Sequence, residues 1–449
     1  MAGEAADGIT STNTSTTSVR IAWQSKLDNI GDAADGRENV QGPEAVTVLV
    51  AQLGARRHYA VPRILEAAGM LEGLYTDFVA SKSAWKALAA LAWCNGLLAR
   101  MAARVPEGIP ARKVTHWPRF AFEYNLRQRR AGSRAELTTV HLWAGREFCR
   151  WIIRHGLGNA AGVYTFNSAG LELLEHARSR GLFCVMDQTS APAEVEDRLL
   201  AEVHSLFPDW EEPHNRDPRR EEFAARERAE WMCADLILCG SEFVREGIKS
   251  SGGPLGRCLV VPYGFAVPSP AIPKTGTGSP LRVLMAGAVR VQKGAPYVLQ
   301  AARLTKGLAH FRWVGRVALL EKAVANMRMY LDLVGGVPRP QMAEHYHWAD
   351  VFLLPSICEG SATVCYEALA AGLPVITTPN AGSVVRDGVD GFIVPIRDAE
   401  AIAEKLELLT RDRELLHWMS ANALARSREF TLEKYGERLI TAISTAGNS

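Results

Sequence analysis

The chain has 449 residues, 47% of them hydrophobic, with 51 basic against 49 acidic side chains and a net charge of +2. That composition excludes a collagen, a disulfide-stapled miniprotein and a mainly disordered chain. A near-neutral total gives no electrostatic reason to expect a nucleic-acid partner, and at roughly 150 residues per domain the length suits two or three domains.

Residues 1–44 carry few large apolar side chains and no sustained period, so they are expected to be a disordered N-terminal extension. Their first 20 residues are rich in Ser, Thr, Gly and Ala without an apolar core, so no signal peptide is expected. Ordered structure is expected from Val46, where Val46-Thr47-Val48-Leu49-Val50 is the continuous run of a strand buried on both faces and leads through Gly54 into a helical pattern. Ala84 to Val105 is broken by Lys86, Asn95, Gly96, Arg100 and Arg104, too often for a span of roughly 20 apolar residues. The strand and helix alternation continues with a strand at Gly162–Phe166, a helix from Ser168 to Arg180, a strand from Phe183 ending at Asp187, and a strand at Leu236–Cys239 before Ser241 and a helix. Such alternation predicts a parallel sheet with helices on both faces, here a domain over residues 45–265.

Residues 266–280 are mainly Pro, Gly, Ser and Thr with one charge, Lys274, which is linker composition. A second domain is expected over residues 281–425. Its strands fall at Leu281–Met285, Phe311–Val314, Val351–Leu354, Pro374–Thr377 and Phe392–Val394, with a helix over Ala295–Leu304. The remainder is helical by period, and 426–449 is expected to return to the first domain. The eight cysteines form no C-x-x-C pair and mostly sit in apolar runs, so they read as reduced thiols of a cytoplasmic protein.

In open parallel sheets, ligands bind beyond the carboxyl ends of strands, where helix N-termini present free amides. The richest such end runs from Pro355 to Pro374. A strand stops at Pro355, small residues including Gly360 form a loop, and a helix begins near Ser361 to Thr363, with exposed amides at Ala362 to Val364. Those amides make a place for a diphosphate. Glu359 before the helix and Glu367 inside it flank the same anion, and a carboxylate accepts paired hydroxyls of a sugar well. At the first strand end of the domain, Gly287 allows close backbone approach while Arg290 and Lys293 supply positive charge, which would stabilise a departing phosphate.

Gly287 to Gly294, Gly315, Val337-Pro338, Ala349-Asp350, the Glu-Gly loop, Gly372-Leu373-Pro374-Val375-Ile376, Asp387-Gly388 and Gly391 together resemble family 4 of the retaining glycosyltransferases. The likeness covers the second domain nearly whole and the first more weakly. It rests on two glutamates with seven residues between them inside this string of features. The resemblance implies an α/β, GT-B fold, two Rossmann-like parallel-sheet domains facing across a cleft, holding a nucleotide diphosphate sugar in the second and a saccharide or lipid-linked acceptor in the first. It implies Glu367 on the ribose, Glu359 near the donor sugar, Lys293 on the diphosphate, the amides of Thr363 and Val364 on the distal phosphate, Val337 at the base and Gly54 against the phosphates. It also implies transfer with retention, a departing phosphate that deprotonates the acceptor, and no metal cofactor.

This sequence departs from the family pattern in three places. Ala288 stands where an arginine is usual, with Arg290 the candidate replacement. Tyr263-Gly264-Phe265-Ala266 lacks the hinge carboxylate, and Asp187-Gln188 stands where many members have a histidine, which makes Asp187 a candidate acceptor ligand or base. Arg56, Arg57 and His58 form a cation cluster after Gly54. A GT-B sugar-nucleotide epimerase or phosphorylase, or a silent partner subunit, remains an alternative. A dinucleotide oxidoreductase is disfavoured, because neither Gly54 nor Gly287 opens G-x-G-x-x-G. Finally, residues 82–134 hold eleven basic against two acidic side chains, interleaved with Trp85, Trp93, Trp117, Phe120, Phe122 and Tyr124. That is the composition of a surface that settles on anionic lipid, which would make the protein peripheral on the inner face of the cytoplasmic membrane.

Overall fold

The computed structural model describes residues 46–80, 101, 104–212, 217–265 and 280–447. The N-terminal extension, nearly all of the linker and residues 82–100 of the basic stretch lie outside the described residues.

Two all-parallel sheets carry the fold. The first comprises β1 (Val48–Gln52), β2 (Leu71–Thr76), β3 (Val114–His116), β4 (Gly162–Phe166), β5 (Phe183–Gln188), β6 (Leu236–Cys239) and β7 (Cys258–Val260), in the order β3-β2-β1-β4-β5-β6-β7. The second comprises β8 (Leu281–Ala286), β9 (Ala309–Val314), β10 (Leu331–Gly335), β11 (Val351–Leu354), β12 (Val375–Thr377) and β13 (Gly391–Ile393), in the order β10-β9-β8-β11-β12-β13. Both sheets reverse direction at their first strand, so the crevices that open by topology lie beyond β1 and β4 and beyond β8 and β11.

The central strands are continuous apolar runs because both of their faces are covered. Val48 and Val50 enter one core, Leu49 and Ala51 the other; likewise Val283 and Met285 oppose Leu284 and Ala286. Several motif residues prove to be structural. Asp350, 2% exposed, binds Arg282 through both carboxylate oxygens (2.7 and 3.0 Å) and accepts the Arg282 amide, which ties the start of β11 to β8. Asp387 accepts the Ile393 amide at 2.9 Å and fixes the turn into β13.

The two sheets are interlocked by helices. The helix Ala193–Leu206 puts Val195, Leu199 and Val203 into the same core as β8 and the helix Ala295–Leu304 of the second sheet. The C-terminal helix Leu432–Gly447 puts Tyr435, Leu439 and Ile443 into the core of the first sheet with Val48 and Val50, where Tyr366 of the second lobe joins them. Among the described residues no helix is long and apolar enough to cross a membrane.

Candidate functional site

Register sets the second-lobe site. Val351 pairs with Val283 and Phe352 with Leu284, so continuing the ladder puts Pro355 beside Gly287. Gly294 completes the approach. Its φ is +80°, and a Cβ there would lie 2.3 Å from the Pro355 carbonyl oxygen, so glycine is required both by conformation and by space. This packing carries Lys293 to the loop after β11, where its Nζ forms an ion pair with Glu359. The same side chain lies over Gly287: a Cβ on that residue would sit 3.7 Å from Lys293 Cε. Glu359 also accepts the Ser356 hydroxyl at 3.3 Å.

The helix Thr363–Ala370 begins directly beyond this pair, with Ala362 as its N-cap. Alanine has no side-chain acceptor, so the first-turn amides of Thr363 and Val364 are left for another partner. Ser361 is held in place by Tyr366 (2.8 Å) and the Gly382 carbonyl (3.0 Å), and the Gly360 carbonyl accepts Ser241 Oγ of the first lobe at 2.5 Å. Gly360 itself abuts the first lobe. A Cβ there would stand 2.0 Å from the Thr189 carbonyl oxygen. Glu367, one turn into the helix, accepts Tyr346 Oη at 2.9 Å and Arg339 Nη2 at 3.3 Å. Arg339 follows the Val337-Pro338 turn and in turn donates through Nη1 to His58 Nε2 of the first lobe at 3.1 Å. That contact needs a neutral imidazole, and burial, then the charges of Arg339 and Arg63, hold the His58 pKa below its ordinary value.

In the first lobe, Gly54 (φ +74°) turns the chain after β1, and its amide donates to Asp77 at 2.8 Å. Arg57, His58 and Tyr59 then all adopt left-handed φ values of +48°, +52° and +59°. Such conformations cost about 1–3 kcal/mol each and persist where the surroundings over-determine them. Here Arg57 supplies that determination: it pairs with Asp187, donates to Tyr435 Oη at 2.9 Å and lies 3.9 Å over the Tyr263 ring. Asp187 is 2% exposed at the end of β5 and also accepts Tyr164 Oη at 2.8 Å, while its Oδ1 is buried without a partner among the described residues.

The structure therefore brings Lys293, Glu359, Gly287, Gly360, Ser361, Ala362, Thr363, Val364 and Glu367 to one sheet end. Val337 sits in the turn that delivers Arg339 to Glu367, partly buried against the core behind it. Arg290 is exposed, and its charge is felt by Glu211, a residue that accepts the Val291 amide at 2.7 Å. Asp187 and Gly54 stand on the first lobe. Sequence reasoning did not single out Arg339, Tyr346, Asp77 or Arg104. Arg339 carried one available signal, a cation two residues beyond the singled-out Val337. Among the described residues no group of three or more His, Cys, Asp or Glu side chains is placed to hold a metal ion.

Residues 280–412 match the family model described as Glycosyl transferases group 1. Over 230 residues, 46% of this chain and 54% of the relative, the sequence is 29% identical to the putative colanic acid biosynthesis glycosyltransferase WcaL of Salmonella typhimurium. The chain spans about half or less of the length of the curated relatives it matches. Sucrose-phosphate synthase from Thermosynechococcus elongatus superposes with a TM-score of 0.60 at 15% identity, over 88% of this chain and 97% of that one. HepE from Anabaena, solved with UDP and glucose, gives 0.55 at 15% identity over 89% and 100%. The second lobe thus carries a group 1 glycosyltransferase domain, and the two sheets together have the GT-B fold.

Proposed function

We propose that this chain is a retaining glycosyltransferase that moves a sugar from a nucleotide diphosphate sugar to a saccharide or lipid-linked saccharide acceptor in polysaccharide or glycolipid assembly. The observation that carries the reading is the Lys293–Glu359 ion pair at the open N-terminus of the helix that bears Glu367, within the stretch that matches the family model.

An arriving diphosphate competes with Glu359 for Lys293 and takes the amides of Thr363 and Val364, where the helix dipole favours negative charge. Glu359, released from the lysine, accepts hydroxyls of the donor sugar. Glu367 accepts the ribose hydroxyls, its carboxylate oriented by Tyr346 and Arg339. As the glycosidic bond to the diphosphate breaks, Lys293 and the helix end stabilise the charge that develops on the leaving oxygen. That oxygen takes the proton from the acceptor hydroxyl, which attacks from the same face, so no enzyme nucleophile is required. Asp187 serves as a positioning residue: its carboxylate holds Arg57, and Arg57 holds the strained loop against the first lobe.

Relatives favour this substrate class, since two of them are named as glycosyltransferases of colanic acid and amylovoran biosynthesis. The described part of the basic stretch supports a membrane-facing site as well. The helix Pro118–Arg130 ends in Arg127, Arg129 and Arg130 and exposes Phe122 by 72%. Flotation with anionic against neutral vesicles tests that face; equal absence of binding to both contradicts it. The assay for the main reading is sugar transfer from a panel of nucleoside diphosphate sugars to cell-envelope oligosaccharides. Glu367→Ala should abolish transfer in a folded protein, whereas unchanged turnover would overturn the proposal.

A further inference from the structure

We propose that the acceptor carries an anionic substituent, carboxylate or phosphate, and that Arg56 binds it in a cavity at the carboxyl end of the first sheet. This rests on the transferase reading and deepens it.

The cavity, about 470 Å³, lies in the size range of small-molecule sites (roughly 300–1,000 Å³). Its walls come from the segments following β1, β2, β4 and β5, including Arg56, Asp77, Asn167 and Thr189, and it is flanked by side chains of the helices Pro118–Arg130 and Arg134–His155. Thr189 ties the cavity to the donor loop. It lines the space and accepts Arg56 Nη1 on its hydroxyl at 2.9 Å, and its carbonyl stands against Gly360, next to Glu359. A saccharide in the cavity is therefore placed beside the position proposed for the donor sugar.

Charge decides what kind of saccharide fits. Arg104 is neutralised by Asp77 at 2.6 Å, and Asp77 is further engaged by the Gly54 amide. Burial lowers the pKa of His141, and Arg220 and Arg56 lower it further, which disfavours a second cation there. Asp187, the acid whose charge acts on Arg56, is paired with Arg57. Arg56 is left with neutral contacts, the Thr189 hydroxyl and the face of Phe166 at 5.3 Å, and no carboxylate touches it among the described residues. Burial and the neighbouring Arg57 accordingly push its pKa down, although Asp187 opposes this. A half-buried guanidinium on the cavity wall with donors unused is matched by a planar or tetrahedral anion, which it can grip through two N–H groups. Gln128 and Asn125 add amide donors and acceptors for hydroxyls around it.

The test uses the full chain with its donor site saturated by a nucleoside diphosphate, so that Lys293 is not available to the probes. Glucose, glucuronate and glucose 6-phosphate are titrated by ligand-observed NMR. At least one anionic probe should bind roughly tenfold or more tighter than glucose, and Arg56→Gln should remove that preference. Glucuronate alone showing it assigns a uronate-type acceptor, glucose 6-phosphate alone a phosphorylated one. Equal affinity for all three, or a preference that survives Arg56→Gln, overturns the inference. Nucleoside diphosphate affinity, measured on both proteins, separates the two readings. Its presence in wild type with no anion preference sinks this inference alone, whereas its absence sinks the transferase reading beneath it.

Discussion

Removing either partner of the Arg57–Asp187 pair should destabilise the protein by about 3–5 kcal/mol, because each would leave a desolvated charge behind. Asp187 is 2% and Arg57 16% exposed at the side chain, so solvent screening offers little relief. Arg57 is also the first of three left-handed residues, so loss of its anchor lets the loop relax, which offsets part of that cost and moves His58 and Gly54. At roughly 2–4 °C per kcal/mol for a lobe of this size, Asp187→Ala should lower the melting temperature by roughly 6–20 °C. The decisive assay is a double-mutant cycle by urea denaturation with Asp187→Ala, Arg57→Met and the two combined. The combined variant should be more stable than the sum of the single losses predicts by about 2–3 kcal/mol. Additivity to within about 0.5 kcal/mol would refute the coupling. A stable Asp187→Asn variant with lost turnover would instead make Asp187 a base.

Other consequences follow from the same contacts. Gly360→Val puts atoms where the Thr189 carbonyl stands, and overpacking of this kind costs about 1–3 kcal/mol. Transfer should fall more than tenfold as the Glu359 loop is displaced, and wild-type rates would contradict the close approach. Burial pushes the Glu230 carboxyl up to about 7, against the opposing effects of Arg226 and the Gly170 and Ser168 amides. The folded state then binds more protons than the unfolded one between the ordinary value of 4.5 and about 7. Glu230 therefore contributes stability at the acid end of that window that is lost as pH rises through it. Glu230→Gln should flatten that dependence in urea midpoints taken at pH 5 and pH 7, while lowering stability at both by about 1–3 kcal/mol, because the amide accepts at one atom where the carboxylate accepts the Ser168 and Gly170 amides at two. An unchanged slope would count against it.

How much was legible depended on what kind of signal each residue gave. Gly162–Phe166 and Ala295–Leu304 coincide with their sequence patterns because a doubly covered strand is a nearly continuous apolar run and the helix carries its apolar residues at helical spacing after Gly294. Leu71–Thr76 was passed over, since Glu72 and Gly73 interrupt it. The edge strand Leu331–Gly335 was also missed, because its solvent side carries Asp332 and Val334. Likewise, the helix Ala193–Leu206 reads locally as amphipathic, but nothing local says that its apolar face lies on the other lobe. At the candidate site, the glutamates, the lysine and the glycines were legible as spacings along one loop and one turn. The Arg57–Asp187 and Arg339–His58 contacts join residues 130 and 281 positions apart, and only the fold brings them together. Three non-glycine residues in left-handed conformations leave no mark in a sequence, because their geometry is imposed by the pair that holds them.

The most direct measurement is calorimetric titration of a nucleoside, its monophosphate and its diphosphate into wild type and Lys293→Ala. If a diphosphate lies between Lys293 and the amides of Thr363 and Val364, wild type should prefer the diphosphate, and the substitution should weaken that ligand by roughly tenfold or more while leaving the nucleoside unaffected. Equal weakening of all three, or no preference for the diphosphate in wild type, would contradict the account.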